Sequence, residues 1–325
     1  MASSGMVTMI DQVVAVLVVV VFALVNGVND GGTVVVAGLR TSTKHPWVPI
    51  VMLVGALATV PLVGTRVSQT LAERLVGFEG NGGRLTLIAA VAATLLVVWV
   101  LTARGLPTSL TLGLVGAIAG AGTASRLPVD WGLVGFVLLV AAIAPAVGFI
   151  GAFFLQRALR PFLGPLRWLR GGLLRVGYLL QCLAYGGNDG QKILAVLAVV
   201  GVSSSVAEVP YHLWLGTVLA FAVGTLLGVA RLGRTLSGGV LPVRSEQSGI
   251  AQTTSASAVL ISGAFGSPVS LTQAVTAGLI GSGVGVTPRR VRWQVATRIA
   301  IAWAVTLPAA FVVSAIVALM LGGLL

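Results

Sequence analysis

The sequence predicts an all-α polytopic membrane protein, and three observations carry that prediction. Charged residues make up only 9% of the 325-residue chain and hydrophobic ones 57%, whereas a soluble domain carries about a quarter charged residues. Uncharged runs of 17 or more residues recur along the chain, enough for a helix to cross the apolar core of a bilayer. The arginines gather between those runs, where cytoplasmic loops hold them for topology. The net charge of +12 is therefore a membrane feature and implies no nucleic-acid partner. The short alternating segments of a β-barrel are missing. Cys182 is the one cysteine, which excludes an internal disulfide and a cysteine-built metal cluster.

The first apolar segment runs from about Gln12 to Leu39 and ends at Arg40-Thr41-Ser42-Thr43-Lys44. No basic region precedes Val13–Val25, so a crossing is expected rather than a cleaved signal peptide. Asn26–Gly32 weakens this helix in its middle. A helical glycine costs about 1 kcal/mol against alanine, and Asn and Asp side chains compete for backbone bonds. A broken helix is expected there. A second crossing follows from Pro46 to about Val63, then a polar loop from Arg66 to Arg84. Leu85–Ala103 and a small-residue run ending at Gly122 flank the turn Arg104-Gly105-Leu106-Pro107-Thr108-Ser109-Leu110-Thr111. Proline inside an apolar pattern breaks a helix and frees backbone groups, so the pair reads as a re-entrant hairpin or two short crossings. The long crossing Trp131–Phe154 leads into the most basic loop, Arg157–Arg175.

The second half repeats this order. Leu173–Val200 carries Gly187-Asn188-Asp189-Gly190, the counterpart of Val28-Asn29-Asp30-Gly31. Tyr211–Val229 is a crossing, and Arg231–Glu246 a polar loop. Ile250–Phe265, the turn Gly266-Ser267-Pro268-Val269-Ser270-Leu271-Thr272 and a small-residue run to Gly285 mirror the first hairpin. The last crossing, Val295–Leu321, follows the basic turn Arg289–Arg292. Placing the basic loops in the cytoplasm gives six crossings plus two hairpins, and sets the halves in opposite orientation. The chain then divides into a first inverted repeat (1–125), a linking crossing with its basic loop (126–172), a second inverted repeat (173–286) and a C-terminal crossing (287–325). This is the plan of many secondary transporters, which bind substrate near the midplane on discontinuous helices.

Four elements are polar at membrane depth. Carboxylates within apolar spans mark ion or substrate pathways by default, and Asp30 and Asp189 hold matching places. The two Pro-Ser-Thr turns set Ser109 and Thr111, and Ser270 and Thr272, beside the free amides of a new helix N-terminus, which favours anions. Plain N-capping by these hydroxyls is the simpler alternative. Lys192 lies one helical turn after Asp189, where it either neutralises the aspartate or helps hold an anion. Arg104 beside the first turn can snorkel or take part in gating.

These motifs resemble the inorganic phosphate transporter (PiT) family, in the bacterial low-affinity phosphate permease form. Gly27-Val28-Asn29-Asp30 matches the first Gly-x-Asn-Asp signature, and Tyr185-Gly186-Gly187-Asn188-Asp189-Gly190-Gln191-Lys192 the bacterial form of the second. Gly105–Thr111 and Gly266–Thr272 resemble its hairpin turns, and Gly224-Thr225-Leu226-Leu227-Gly228 with Arg234-Thr235 fits the segment between. The resemblance implies a symporter of the cell membrane, not an enzyme, that imports inorganic phosphate with Na⁺ or H⁺ and forms a homodimer. It implies Asp30 and Asp189 at a central site, with Thr108, Ser109, Thr111, Ser270 and Thr272 around phosphate and Lys192 beside them. Asn29, Asn188 and Gln252 join the two aspartates as cation ligands, with Na⁺ at Asp30 and Asp189. The pattern departs at Leu112 and Gln273, where the family has histidine, at Gln252, where it has glutamate, and near Ala56, where a carboxylate is missing.

The chemistry stands beside the resemblance. Unit like charges 4 Å apart repel by about 4 kcal/mol at an effective dielectric near 20, so phosphate between two carboxylates requires cations or protons. Each ligand then raises the affinity of the other by the same factor. Sulfate or another tetrahedral oxyanion on the same architecture is the alternative. A protonated phosphate can donate to a carboxylate, which sulfate at neutral pH cannot.

Overall fold

The computed structural model describes residues 2–39, 45–78, 80–104, 108–202, 205–232 and 244–322. The expected loops at 40–44 and 233–243, and Pro107 of the first hairpin turn, lie outside the described residues. In chain order the helices are α1 (Ala2–Asn26), α2 (Gly32–Leu39), α3 (Val48–Ala58), α4 (Val60–Val63), α5 (Arg66–Gln69), α6 (Gly80–Ala103), α7 (Leu110–Ala124) and α8 (Trp131–Leu163). They continue with α9 (Arg167–Ala184), α10 (Gln191–Leu197), α11 (Tyr211–Leu232), α12 (Ser245–Ala264), α13 (Leu271–Val286) and α14 (Trp293–Gly322). Among the described residues, five stretches are long and apolar enough to cross a membrane: Val16–Leu39, Gly82–Ala103, Trp131–Leu163, Tyr211–Ala230 and Trp293–Gly322.

The outer surface is apolar, as lipid demands. On α8, Leu139, Ile143, Ile150 and Phe154 are exposed while Val137, Ala141, Ala144, Gly148 and Ala152 form the buried stripe. On α14 the buried stripe is Ala302, Thr306, Ala310, Ser314 and Ala318. Small residues on the inner face let helix backbones approach closely, the usual basis of helix association in lipid.

Those close approaches reveal parallel pairs that join the two halves of the chain. Gly27 sits against Phe221 and Thr225, Gly224 against Leu24, and Gly228 against Val28, so α1 and α11 advance together. Gly186 sits against Ala56 and Gly190 against Leu57 and Val60, while the Tyr178 hydroxyl donates to the Pro49 carbonyl at 2.7 Å. The rod α9–α10 therefore advances along α3. In the same way Gly116 and Gly120 meet Leu307 and Phe311, pairing α7 with α14, and Gly281 and Gly285 meet Phe149 and Phe153, pairing α13 with α8. In each pair one helix comes from the first half of the chain and one from the second.

The structure corrects several sequence expectations. The Asn-Asp helices are widened, not broken. Gly27–Gly31 and Tyr185–Gly190 are single π-helical turns inside continuous rods, and Asn26 and Gly32 keep right-handed helical dihedrals on either side of the first. A longer hydrogen-bonded ring lets the weak segment keep its backbone bonds, which an open break in lipid would forfeit. The second crossing reaches Val63 but is interrupted: α3 ends at Ala58, and α4 restarts at Val60 with Pro61 in its first turn. The Ala58 carbonyl, released from the helix ladder, accepts Trp214 Nε1 at 3.1 Å and the Tyr211 hydroxyl at 3.2 Å.

Two expected loops are helical. Arg66–Arg84 contains α5, a π turn over Thr70–Arg74 and the start of α6, with Val67, Leu71 and Leu75 buried. The basic loop Arg157–Arg175 is mostly the end of α8 and the start of α9. Arg170 closes the corner between them, its Nε donating to the Leu163 carbonyl at 2.5 Å.

Candidate functional site

Both π turns face the same interior point. Asn26 and Tyr185, at matching places in the two Asn-Asp segments, touch each other: the Tyr185 hydroxyl donates to Asn26 Oδ1 at 2.8 Å. Asp30 and Asp189, 5% and 4% exposed, stand close enough for each to feel the other's charge. The fully buried Lys192 is the counter-charge. Its ammonium donates to Asp189 Oδ1 at 2.6 Å, to Thr111 Oγ1 at 2.5 Å and to the Val269 carbonyl at 2.9 Å.

The turns before α7 and α13 deliver helix N-termini to this point. α7 starts after Ser109, whose Oγ accepts from Leu112 N at 3.2 Å, and α13 after Ser270, whose Oγ accepts from Gln273 N at 3.3 Å. Both serines are thus N-caps, and each helix presents its positive end inward. Thr111 also donates to the Val269 carbonyl at 3.2 Å, tying the first turn to the second. On the other side Thr272 stands near the Asp30 carboxylate, its hydroxyl 3.0 Å from Ser270 Oγ. The Leu271 amide faces the Asp189 carboxylate, while Asp189 Oδ2 closes no hydrogen bond among the described residues.

The site residues expected from sequence fall into two groups. Asp30, Asp189, Lys192, Thr111, Ser270 and Thr272 come together, with Asn29 donating to Asp30 Oδ1 at 3.2 Å. Asn188 is spent on architecture: its amide donates to the Ser267 carbonyl at 3.0 Å and accepts from Val269 N at 3.1 Å, fixing the second turn. Thr108 lies 3.3 Å from the Thr102 hydroxyl, on the approach from α6. Gln252 is elsewhere. It packs on α9 beside Gly177, and Asp189 lies a further three turns along that rod, about 18 Å at 1.5 Å per residue.

Gln191 stands in the second Asn-Asp motif, but the motif assigned it no role. Its Oε1 accepts from the Val67 and Ser68 amides at 2.7 and 3.1 Å, its Nε2 donates to the Gly187 carbonyl at 2.7 Å, and its own carbonyl accepts Ser68 Oγ at 2.7 Å. One side chain thus serves the free amides of α5 and spans the second π turn. Gln191→Leu strands these buried groups at about 1–3 kcal/mol each. A melting temperature lowered by several degrees against wild type, measured in detergent, is the expected outcome.

Comparison with known proteins bears on this arrangement. The family model for the phosphate transporter family matches residues 26–171 and again 172–314. The chain belongs to the phosphate transporter family. A Mycobacterium tuberculosis relative, a probable low-affinity inorganic phosphate transporter, is 34% identical over 94% of this chain and 77% of its own length. One from Bacillus subtilis under the same description is 23% identical over 95% of this chain and 96% of that one. Among solved structures, one described as the sodium-dependent phosphate transporter superposes with a TM-score of 0.79 over 97% of this chain and all of that one, at 19% identity. As a member of this family the chain is a multi-pass membrane transporter and not an enzyme. The second match of the phosphate transporter model begins at residue 172, inside α9 and ahead of the second Asn-Asp turn.

Proposed function

We propose that this protein is a secondary active symporter that imports inorganic phosphate with Na⁺ or H⁺ by alternating access. The observation that carries the reading is the charge balance of the buried site. Asp30, Asp189 and Lys192 together leave one net negative charge, at a place where two helix N-termini and several hydroxyls favour an anion. Dianionic phosphate is repelled from such a site until a cation or proton joins Asp30. That requirement is the coupling: neither ligand binds well alone, and each raises the affinity of the other. Relatives described as inorganic phosphate transporters, and a structural neighbour described as sodium-dependent, agree with this reading.

The helix pairing supports an inverted repeat of 1–125 and 173–286. Gly38 near the end of α2 sits against Pro49 at the start of α3, so α1 and α3 run in opposite directions. Since α9 follows α3 and α11 follows α1, the two Asn-Asp rods are antiparallel while holding equivalent partners. The α6–α7 and α12–α13 pairs are read as the hairpins. Rocking one set of pairs against the other would expose the site to each side in turn.

The test is radiolabelled phosphate uptake into proteoliposomes under imposed Na⁺ or proton gradients. Uptake should follow one of these gradients and resist competition by excess sulfate. Uptake indifferent to both gradients would sink the symport reading, and equal competition by sulfate would move the substrate to the wider class of tetrahedral oxyanions.

A further inference from the structure

We propose that the Lys192 ammonium is a tethered cation, filling in the second half of the chain the position that stays open to a mobile cation beside Asp30 in the first. The inference rests on the symporter reading of this site and deepens it. Lys192 follows Asp189 by one turn; the residue in the same place after Asp30 is Thr33, which is exposed and donates to the Asn29 carbonyl at 3.0 Å. The two halves therefore differ in one charge. In the first half Thr272 stands near Asp30 with no lysine between them. In the second, the ammonium stands between Asp189 and Thr111, the counterpart of Thr272.

The company of that ammonium is a cation's company. A carboxylate oxygen, a threonine hydroxyl and a backbone carbonyl at 2.5–2.9 Å are the hard oxygen donors that small cations select. An ammonium has three protons to donate, and all three are engaged, so none is left for phosphate. The lysine is 1% exposed, and its charge travels with the protein. A cycle built this way moves one cation fewer per phosphate than a site with a mobile ion at both aspartates.

The experiment measures radiolabelled Na⁺ bound by the purified, detergent-solubilised chain without phosphate, for wild type, K192M and K192M/D189N. K192M is expected to bind one more Na⁺ per chain than wild type, and K192M/D189N to lose that extra ion. Because removal of the lysine strands Asp189, the melting temperature and yield of K192M are also compared in NaCl and choline chloride. Na⁺ should restore both selectively, as a ligand specific to the folded state must. K192M that gains neither bound Na⁺ nor Na⁺-selective stability, folded or not, overturns the proposal. No phosphate is present in this measurement, so a wild type that moved no phosphate would defeat the proposed function and leave this result standing.

Discussion

Asp30→Asn is expected to abolish coupled phosphate uptake while leaving the fold intact. The Asp30 carboxylate is buried beside Asp189, Lys192 and Thr272 and accepts from Asn29, all of which an amide side chain can still contact. What disappears is the charge that attracts the coupling cation. A cation about 4 Å from that charge gains about 4 kcal/mol at an effective dielectric near 20, so uptake at fixed Na⁺ or pH should fall about a hundred- to thousand-fold. Proteoliposome uptake with a melting curve on the same preparation checks both halves of the prediction. Undiminished uptake would mean that the coupling ion binds elsewhere. Asp189→Asn should behave differently. It removes the partner of a buried lysine, and breaking a buried pair from one side costs about 3–5 kcal/mol. Its melting temperature should fall where that of Asp30→Asn does not.

A second large effect is structural. Gly120→Val and Gly281→Val should each unseat a helix pair on which the site depends. A Cβ at Gly120 collides with the Phe311 carbonyl and stands 2.6 Å from Ser314 Oγ, and one at Gly281 collides with the Phe149 carbonyl. The two carbonyls are backbone atoms of neighbouring rods, which cannot turn aside as a flexible side chain does. Overpacking of this kind costs about 1–3 kcal/mol or more. Loss of monodisperse protein and a lowered melting temperature are expected for both. Gly216→Val, on α11 where nothing lies within 4 Å, should match wild type, and its behaving like the other two would undo the packing account.

The centre of the site was legible because it breaks the rules of its surroundings. Asp30 and Asp189 stand out in uncharged runs, and Lys192 sits at pairing distance in sequence. The hairpin serines were legible as caps for the same reason: proline followed by Ser and Thr announces a helix start. Three features were hidden. A π turn and a broken helix share one composition, so Asn26–Gly32 could not reveal which geometry keeps the backbone bonded. Arg66–Arg84 carries the polarity of a loop, yet Val67, Leu71 and Leu75 recur at helical spacing, a signal outweighed by Arg66, Glu73 and Arg74. The role of Gln191 was hidden although the residue stood in the second motif, since its partners Val67 and Ser68 are distant in the chain and donate backbone amides, whose identity no side chain encodes.

The exchange of partners between halves has a consequence for how the chain is made. The glycine face of α1 is completed only by α11, which starts at Tyr211. A ribosome adding about 5–20 residues per second needs about 10–40 s to travel from one to the other. Asp30 lacks Lys192 until residue 192 is added and Thr272 until residue 272 is added. The nascent first half must wait in the bilayer with an uncompensated carboxylate and an unfilled groove. Folding into the final arrangement is then a late, concerted step for the whole polypeptide, and one to which translocon and chaperone are natural attendants.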